Sequence, residues 1–239
     1  MIKKWQIYDS NNEKIEEISK KYNLNKLLST ILVNRKVEED KIKTYLNPTR
    51  KDFHDPFLMP DMEIAVDRIL KSIENKEKII IYGDYDVDGI TSITVLKNFL
   101  NERGIEVDQY IPNRLEEGYG LNIPAIEAIA KKGYDLMITV DCGISGIEEI
   151  KYANSLGIET IVTDHHEVGD ELPEALAVVD AKRKDSIYPC RDLAGVGVVF
   201  KLIQALRKKI KIRRKGILKI FRYCVCWNNI RYSPISWWK

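Results

Sequence analysis

The chain alternates short apolar runs with longer segments in which apolar residues recur every three or four positions. Lys14 to Lys21 and Leu24 to Val33 carry that helical spacing among many charges, and Asn47-Pro48-Thr49 interrupts it, which predicts a small helical leader. Phe53 to Pro60 mixes bulky apolar residues with turn formers and is expected to wrap over the next domain as a clasp, with His54 as a structural residue. A helix over 61–75 follows, with Met62, Ala65, Val66, Ile69 and Ile73 on one face. Strands are then predicted at Lys78 to Tyr82, Glu106 to Ile111, Leu136 to Val140, Glu159 to Val162 and Ala177 to Val179. Between and after them come helices at Ile90 to Arg103, Pro124 to Lys132, Gly146 to Leu156 and 194–209. Short apolar strands separated by amphipathic helices indicate an α/β fold, a doubly wound and mostly parallel sheet. The expected organisation is a leader and clasp over 1–60, the sheet domain over 61–206, and a tail over 207–239.

In sheets of this kind ligands sit at the carboxyl ends of the strands, and four consecutive strand ends here carry polar side chains. Asp84, Asp86 and Asp88 follow the first strand, Asn113 and Arg114 the second, Asp141 the third, and Asp164, His165 and His166 the fourth. Carboxylates two apart along an extended segment share a face, so Asp84, Asp86 and Asp88 are expected to converge on a cation. The run also matches the opening of an EF-hand loop, but the twelfth position is Val95 where a bidentate acid is needed, and a strand rather than a helix stands in front. Two of the three histidines stand side by side after a strand, so one can bind metal while the other faces substrate. Mixed carboxylate and imidazole ligands suit Mn²⁺ or Mg²⁺, and a pair of such ions serves phosphoester hydrolysis. Arg114 could hold a substrate phosphate bidentately. Gly195 and Gly197 open a helix whose free N–H groups could hold phosphate, or they serve close helix packing; spacing leaves both readings open.

Composition adds an asymmetry. The net charge is +2, yet residues 207–239 hold 11 Lys or Arg and no Asp or Glu, which leaves 27 basic against 36 acidic residues in the rest. Three of the four tryptophans (Trp227, Trp237, Trp238) fall in that tail as well. Taken alone, such a basic and aromatic stretch reads as a nucleic-acid-binding arm. No apolar run is long enough to cross a membrane, the N-terminus lacks a signal-type apolar core, and the four cysteines show no zinc or secreted-scaffold spacing; a cytoplasmic protein without a membrane partner is expected.

The ordered set Asp84-Tyr85-Asp86-Val87-Asp88-Gly89, Tyr110-Ile111-Pro112-Asn113-Arg114, Val140-Asp141-Cys142-Gly143, Asp164-His165-His166 and Leu193-Ala194-Gly195-Val196-Gly197 resembles the motifs of the DHH phosphoesterase superfamily. The wording around Asn47-Pro48 and His54-Asp55-Pro56-Phe57 is similar to its single-strand-specific DNA exonuclease branch, and the likeness covers roughly residues 45–206. The resemblance implies a Mn²⁺- or Mg²⁺-dependent 5′-to-3′ exonuclease acting on single-stranded DNA in repair and recombination. By motif, Asp86, Asp88, Asp141 and His165 would be metal ligands, with Asp84 and Asp164 supporting the cluster. His166 would act near the scissile phosphate, and Asn113 and Arg114 would touch the nucleic-acid backbone, with Gly195 and Gly197 on the substrate side. Other members of the superfamily act on oligonucleotides, cyclic dinucleotides or pyrophosphate, and a non-catalytic binding remnant is a further alternative.

The resemblance also makes the tail anomalous. Members of that branch continue after the last helix with a strand and a further liganding Asp, and then with a second cleft domain and an OB-fold; this sequence has no Asp after Asp192. Phe221 to Trp238, back-translated with permitted codons and read one base later, can give LDIVCVGIISDIVPLVGG, which is family-like sequence. Trp227, whose codon is unique, forces the glycine. The expectation is a frame-shifted tail with the C-terminal domains absent, an exposed apolar sheet edge, and little or no exonuclease activity.

Overall fold

The computed structural model describes residues 10–210, which fall into two compact units dividing between Phe53 and His54. The tail beyond Ile210, and with it the frame-shift reading, lies outside the described residues.

The first unit holds helices α1 (Asn12–Tyr22), α2 (Lys26–Asn34) and α3 (Ile42–Leu46). Asparagine starts two of them: the Asn11 side chain accepts from Lys14 N–H and that of Asn25 from Leu28 N–H, satisfying amides that the first turn leaves unpaired. Ile18, Leu32 and Ile42 form its buried centre.

The second unit runs α4 (Met62–Asn75), β1 (Ile79–Gly83), α5 (Val87–Asn101), β2 (Asp108–Tyr110), α6 (Ile123–Lys131), β3 (Leu136–Val140), α7 (Ile147–Ser155), β4 (Glu159–Thr163), β5 (Ala177–Val179) and α8 (Gly195–Ile210). The strands form one parallel sheet in the order β2-β1-β3-β4-β5. Ile80, Tyr82, Met137, Val162 and Val178 point to one face, where Ile126 and Ile129 of α6 and Ile150 and Ala153 of α7 cover them. Helices α4, α5 and α8 pack together and take the alternate residues of the other face. Central strands β1 and β3 are buried along their whole length, so they read as unbroken apolar runs. The order reverses between β1 and β3, and such a reversal opens a crevice at the strand ends.

Three differences from the sequence reading have local causes. Strand β2 is shorter than Glu106 to Ile111 because it is an edge strand with a single partner, β1. Helix α5 begins at Val87 rather than Ile90, because the Asp86 carboxylate caps it, accepting from Asp88 N–H at 2.7 Å and Gly89 N–H at 3.1 Å. The clasp groups with the sheet unit: the His54 carbonyl accepts from the buried Lys201 ammonium at 3.2 Å, and Asp55 pairs with Lys208 at 2.8 Å.

The expected bare apolar edge is also corrected. The outer side of β5 is covered by two charged side chains: Asp61 Oδ2 accepts the Val178 N–H at 3.1 Å, and the Arg183 guanidinium donates to the Val178 carbonyl at 2.6 Å and to Asp61 at 2.5 Å. Peptide groups that would recruit another strand are thereby satisfied.

Candidate metal centre

The end of β1 turns sharply, so the three acids of the first motif do not lie along one extended segment as expected. Asp84 follows the strand, Asp86 is the α5 cap and Asp88 sits inside the first helical turn. Asp84 is buried, its Oδ1 accepting the Asp86 N–H at 3.0 Å. Burial raises its pKa above the usual carboxylate range. Gly89 makes this possible, since a side chain there would overlap the Asp84 carboxylate.

Asp141, just past β3, is fully buried and adopts a left-handed backbone with φ 59°. Its carboxyl is pushed up to about 10, by burial first and then by the neighbouring Asp88, Asp84, Asp86 and Asp164. His165 Nε2 lies 3.0 Å from Asp141 Oδ1 and 3.6 Å from Asp88 Oδ2. Asp84, Asp86 and Asp141 bring ligand atoms within 4.8 Å of one another, and so do Asp141, His165 and His166. Asp84 Oδ2 and Asp141 Oδ2 are buried without a hydrogen-bond partner among the described residues. Two orphaned carboxylate oxygens among clustered acids and an imidazole fit a hard divalent cation, which would supply the missing positive charge.

The fourth strand end is built for orientation. Asp164 Oδ1 accepts the backbone N–H groups of His165 (2.7 Å) and His166 (3.2 Å) and lies 2.7 Å from His166 Nδ1, while Oδ2 accepts Ile144 N–H at 3.0 Å. Burial opposes ionisation of Asp164, but the His166 hydrogen bond and charge and these amides outweigh it, holding the carboxyl below its ordinary value. The ring of His166 is therefore fixed from behind, and its side chain remains 37% exposed.

Asp88, expected as a direct ligand, lies at the cluster, its Oδ2 3.6 Å from His165 Nε2, and both its oxygens also accept from helix α8: Gly195 N–H donates to Oδ2 at 2.9 Å and Val196 N–H to Oδ1 at 3.0 Å. Asp84 stands in the cluster beside it. The same bonds occupy the amide of Gly195, and Gly197 N–H donates to the Ala194 carbonyl at 2.8 Å, so neither glycine offers its N–H to a phosphate. Gly195 serves close packing, because a side chain there would overlap Asp141. Asn113 uses its side-chain oxygen to accept Leu115 N–H at 3.0 Å, shaping its own loop. Arg114 is exposed and lies 5.4 Å over the Tyr85 ring.

Sequence reasoning missed Tyr119 and Asp180. The Tyr119 hydroxyl is 3.3 Å from His166 Nε2, and its ring stands edge-on to Tyr85 at 5.9 Å. Asp180, fully buried at the end of β5, has one oxygen without a partner and is pushed up to about 7 by burial. Its strand-end position carried the same signal as the other four; Tyr119 had only its two flanking glycines.

Residues 78–224 match the DHH family, N-terminal domain, and the chain belongs to that family. It is 43% identical over 204 residues to the single-stranded-DNA-specific exonuclease RecJ of Bacillus subtilis, covering 85% of this chain and 26% of that protein. It is 41% identical over 147 residues to RecJ of Escherichia coli, covering 61% of this chain and 26% of the relative. Among solved structures, exonuclease RecJ bound to manganese superposes with a TM-score of 0.68 at 30% identity, covering 75% of this chain and 45% of that one. RecJ of Thermus thermophilus in complex with Mn²⁺ shares the fold, with a TM-score of 0.70 at 24% identity over 89% of this chain and 29% of that one. The chain thus spans about a quarter of the length of the curated relatives it matches.

Proposed function

We propose that this chain carries the metal-binding, phosphodiester-hydrolysing part of a single-stranded-DNA exonuclease of the DHH family. The observation that supports it most is Asp141, a buried carboxylate ringed by other acids and by His165, with an oxygen that no group among the described residues satisfies. Mn²⁺ or Mg²⁺ held by Asp84, Asp86, Asp141 and His165 would supply an activated water and charge stabilisation at the phosphoryl oxygens. Asp164 orients His166, whose half-exposed ring stands where it can give a proton to the leaving oxygen. Arg114, exposed beside Tyr85, is suited to a backbone phosphate of the strand. No helix among the described residues is long and apolar enough to cross a membrane, in keeping with a nucleic-acid substrate.

Residues 193–239 hold no Asp or Glu, so the proposed cluster draws on the strand ends described above, and turnover of single strands by the 239 residues alone is expected to be slow or absent. Calorimetric titration with Mn²⁺, paired with digestion of 5′-labelled single-stranded DNA, tests the reading. Mn²⁺ binding that disappears in Asp141→Asn supports it; a wild-type chain that takes up no Mn²⁺ refutes it. Rapid digestion by the unaltered chain would refute the expected inactivity alone.

A further inference from the structure

A cavity of about 310 Å³ opens beside the cluster, and Tyr119, Asp164 and His166 line it. Leu121, Ile144 and the glycine-rich backbone of 143–146 also line it, together with Ser145, Glu149 and Glu167. Among the described residues no Lys or Arg lines it. Such a lining disfavours a phosphate and suits a flat group with an apolar face and N–H donors on its edge.

We propose that this cavity seats the base of the terminal nucleotide whose phosphodiester the cluster cleaves, with Glu149 accepting a hydrogen bond from an exocyclic amino group. The assignment rests on the hydrolytic reading above and names the substrate group it positions. His166 is common to both places, so a base in the cavity brings its own phosphate to the histidine. Tyr119, which lines the cavity, has its hydroxyl 3.3 Å from His166 Nε2 and its ring edge-on to both Tyr85 and His166, at 5.9 and 6.2 Å, and supplies an aromatic face on which a base can stack. Glu167 is engaged by Lys182 at 2.8 Å, whereas Glu149 has no ion-pair partner among the described residues. A carboxylate acceptor reads the cytosine or adenine amino group, which thymine lacks.

The test measures binding of dCMP, dTMP and 2-deoxyribose 5-phosphate to the full chain in Mg²⁺ by calorimetry. The expected order is dCMP at least tenfold tighter than the sugar phosphate and several-fold tighter than dTMP. Ser145→Trp, which fills the cavity from its rim, should bring dCMP down to the sugar-phosphate level. Glu149→Gln, a conservative change at a half-buried position, should erase the dCMP preference over dTMP. Equal binding of all three, no binding of dCMP, or an unchanged preference in Glu149→Gln would overturn the assignment. Calorimetric titration with Mn²⁺ reports on the cluster separately, so a chain that takes up no Mn²⁺ alongside intact base preference would sink only the hydrolytic reading.

Discussion

Asp88 Oδ2 accepts the backbone N–H of Gly195 at 2.9 Å, joining residues 107 positions apart in the chain. Through Oδ1 the same carboxylate takes the Val196 N–H, so one buried acid fastens the first turn of α5 to the first turn of α8. Asp88→Asn keeps the shape but turns a donor toward an amide that needs an acceptor. It should destabilise the chain by about 2 kcal/mol, the worth of a charge-assisted hydrogen bond. Urea unfolding checks this; an unchanged midpoint would show that α8 is held by its apolar face alone.

Gly195→Ala and Gly197→Ala make an informative pair. A methyl at Gly195 meets the Asp141 carboxylate, whereas at Gly197 it makes ordinary contact with Leu193 at 3.5 Å. The first should cost about 1–3 kcal/mol and weaken Mn²⁺ binding at least tenfold. The second should be neutral or slightly stabilising, because alanine favours the helix by roughly 0.5–1 kcal/mol. Equal Mn²⁺ affinity in the two variants would remove Gly195 from the account of the site.

Asp141 links stability to pH. Its folded pKa, about 10, lies above the ordinary carboxylate value of roughly 3.9. The folded chain therefore binds more protons than the unfolded one between those values, and without metal its stability falls as pH rises through that window. Asp141→Asn removes this contribution and leaves those of Asp84 and Asp180, which have the same sign. In EDTA the variant should melt at the same temperature as the parent near pH 4 and increasingly above it at pH 6 and 8. With Mn²⁺ the order reverses, since only the parent gains from binding. A parent whose EDTA melting temperature rises from pH 4 to 8 would contradict this.

The Asp61–Arg183 pair closes the β5 edge, and Arg183 is only 8% exposed. Asp61→Ala leaves a buried guanidinium with less compensation and unsatisfies the Val178 amide, at an expected cost of about 2–4 kcal/mol. Light scattering at elevated temperature should also show earlier association, because the edge is bared. A variant as stable and as monodisperse as the parent would show that the pair is decorative.

The tail makes a prediction at the level of the gene. Its codons from about 205 to 239 should contain a position where one inserted or deleted base restores Asp-bearing family sequence in place of the basic run. Nucleotide sequencing decides it, and an unbroken frame with no such position would refute it.

Much of the site was legible from strand ends. Asp84, Asp141, Asp164 and the two histidines stand where a buried apolar run stops, and in a parallel sheet those stops share one edge. The geometry of the first motif was misread because spacing by two was taken for an extended segment, while Asp86 caps a helix and Asp88 lies in its first turn. The two glycines of α8 were undecided because a helix start in isolation shows free amides, and nothing nearby in sequence reveals that a distant carboxylate takes them.

The sequence by itself determined the alternation of strands and helices and the delivery of acids and imidazoles to one edge. These depend on periodicity and on hydrogen bonds reaching only a few residues. Tertiary structure alone decided that Asp88 anchors α8, that Asp61 and Arg183 cover β5, and that Tyr119 meets His166 beside a cavity. Each of those pairs residues far apart in the chain, whose meeting is set by how helices pack on the sheet.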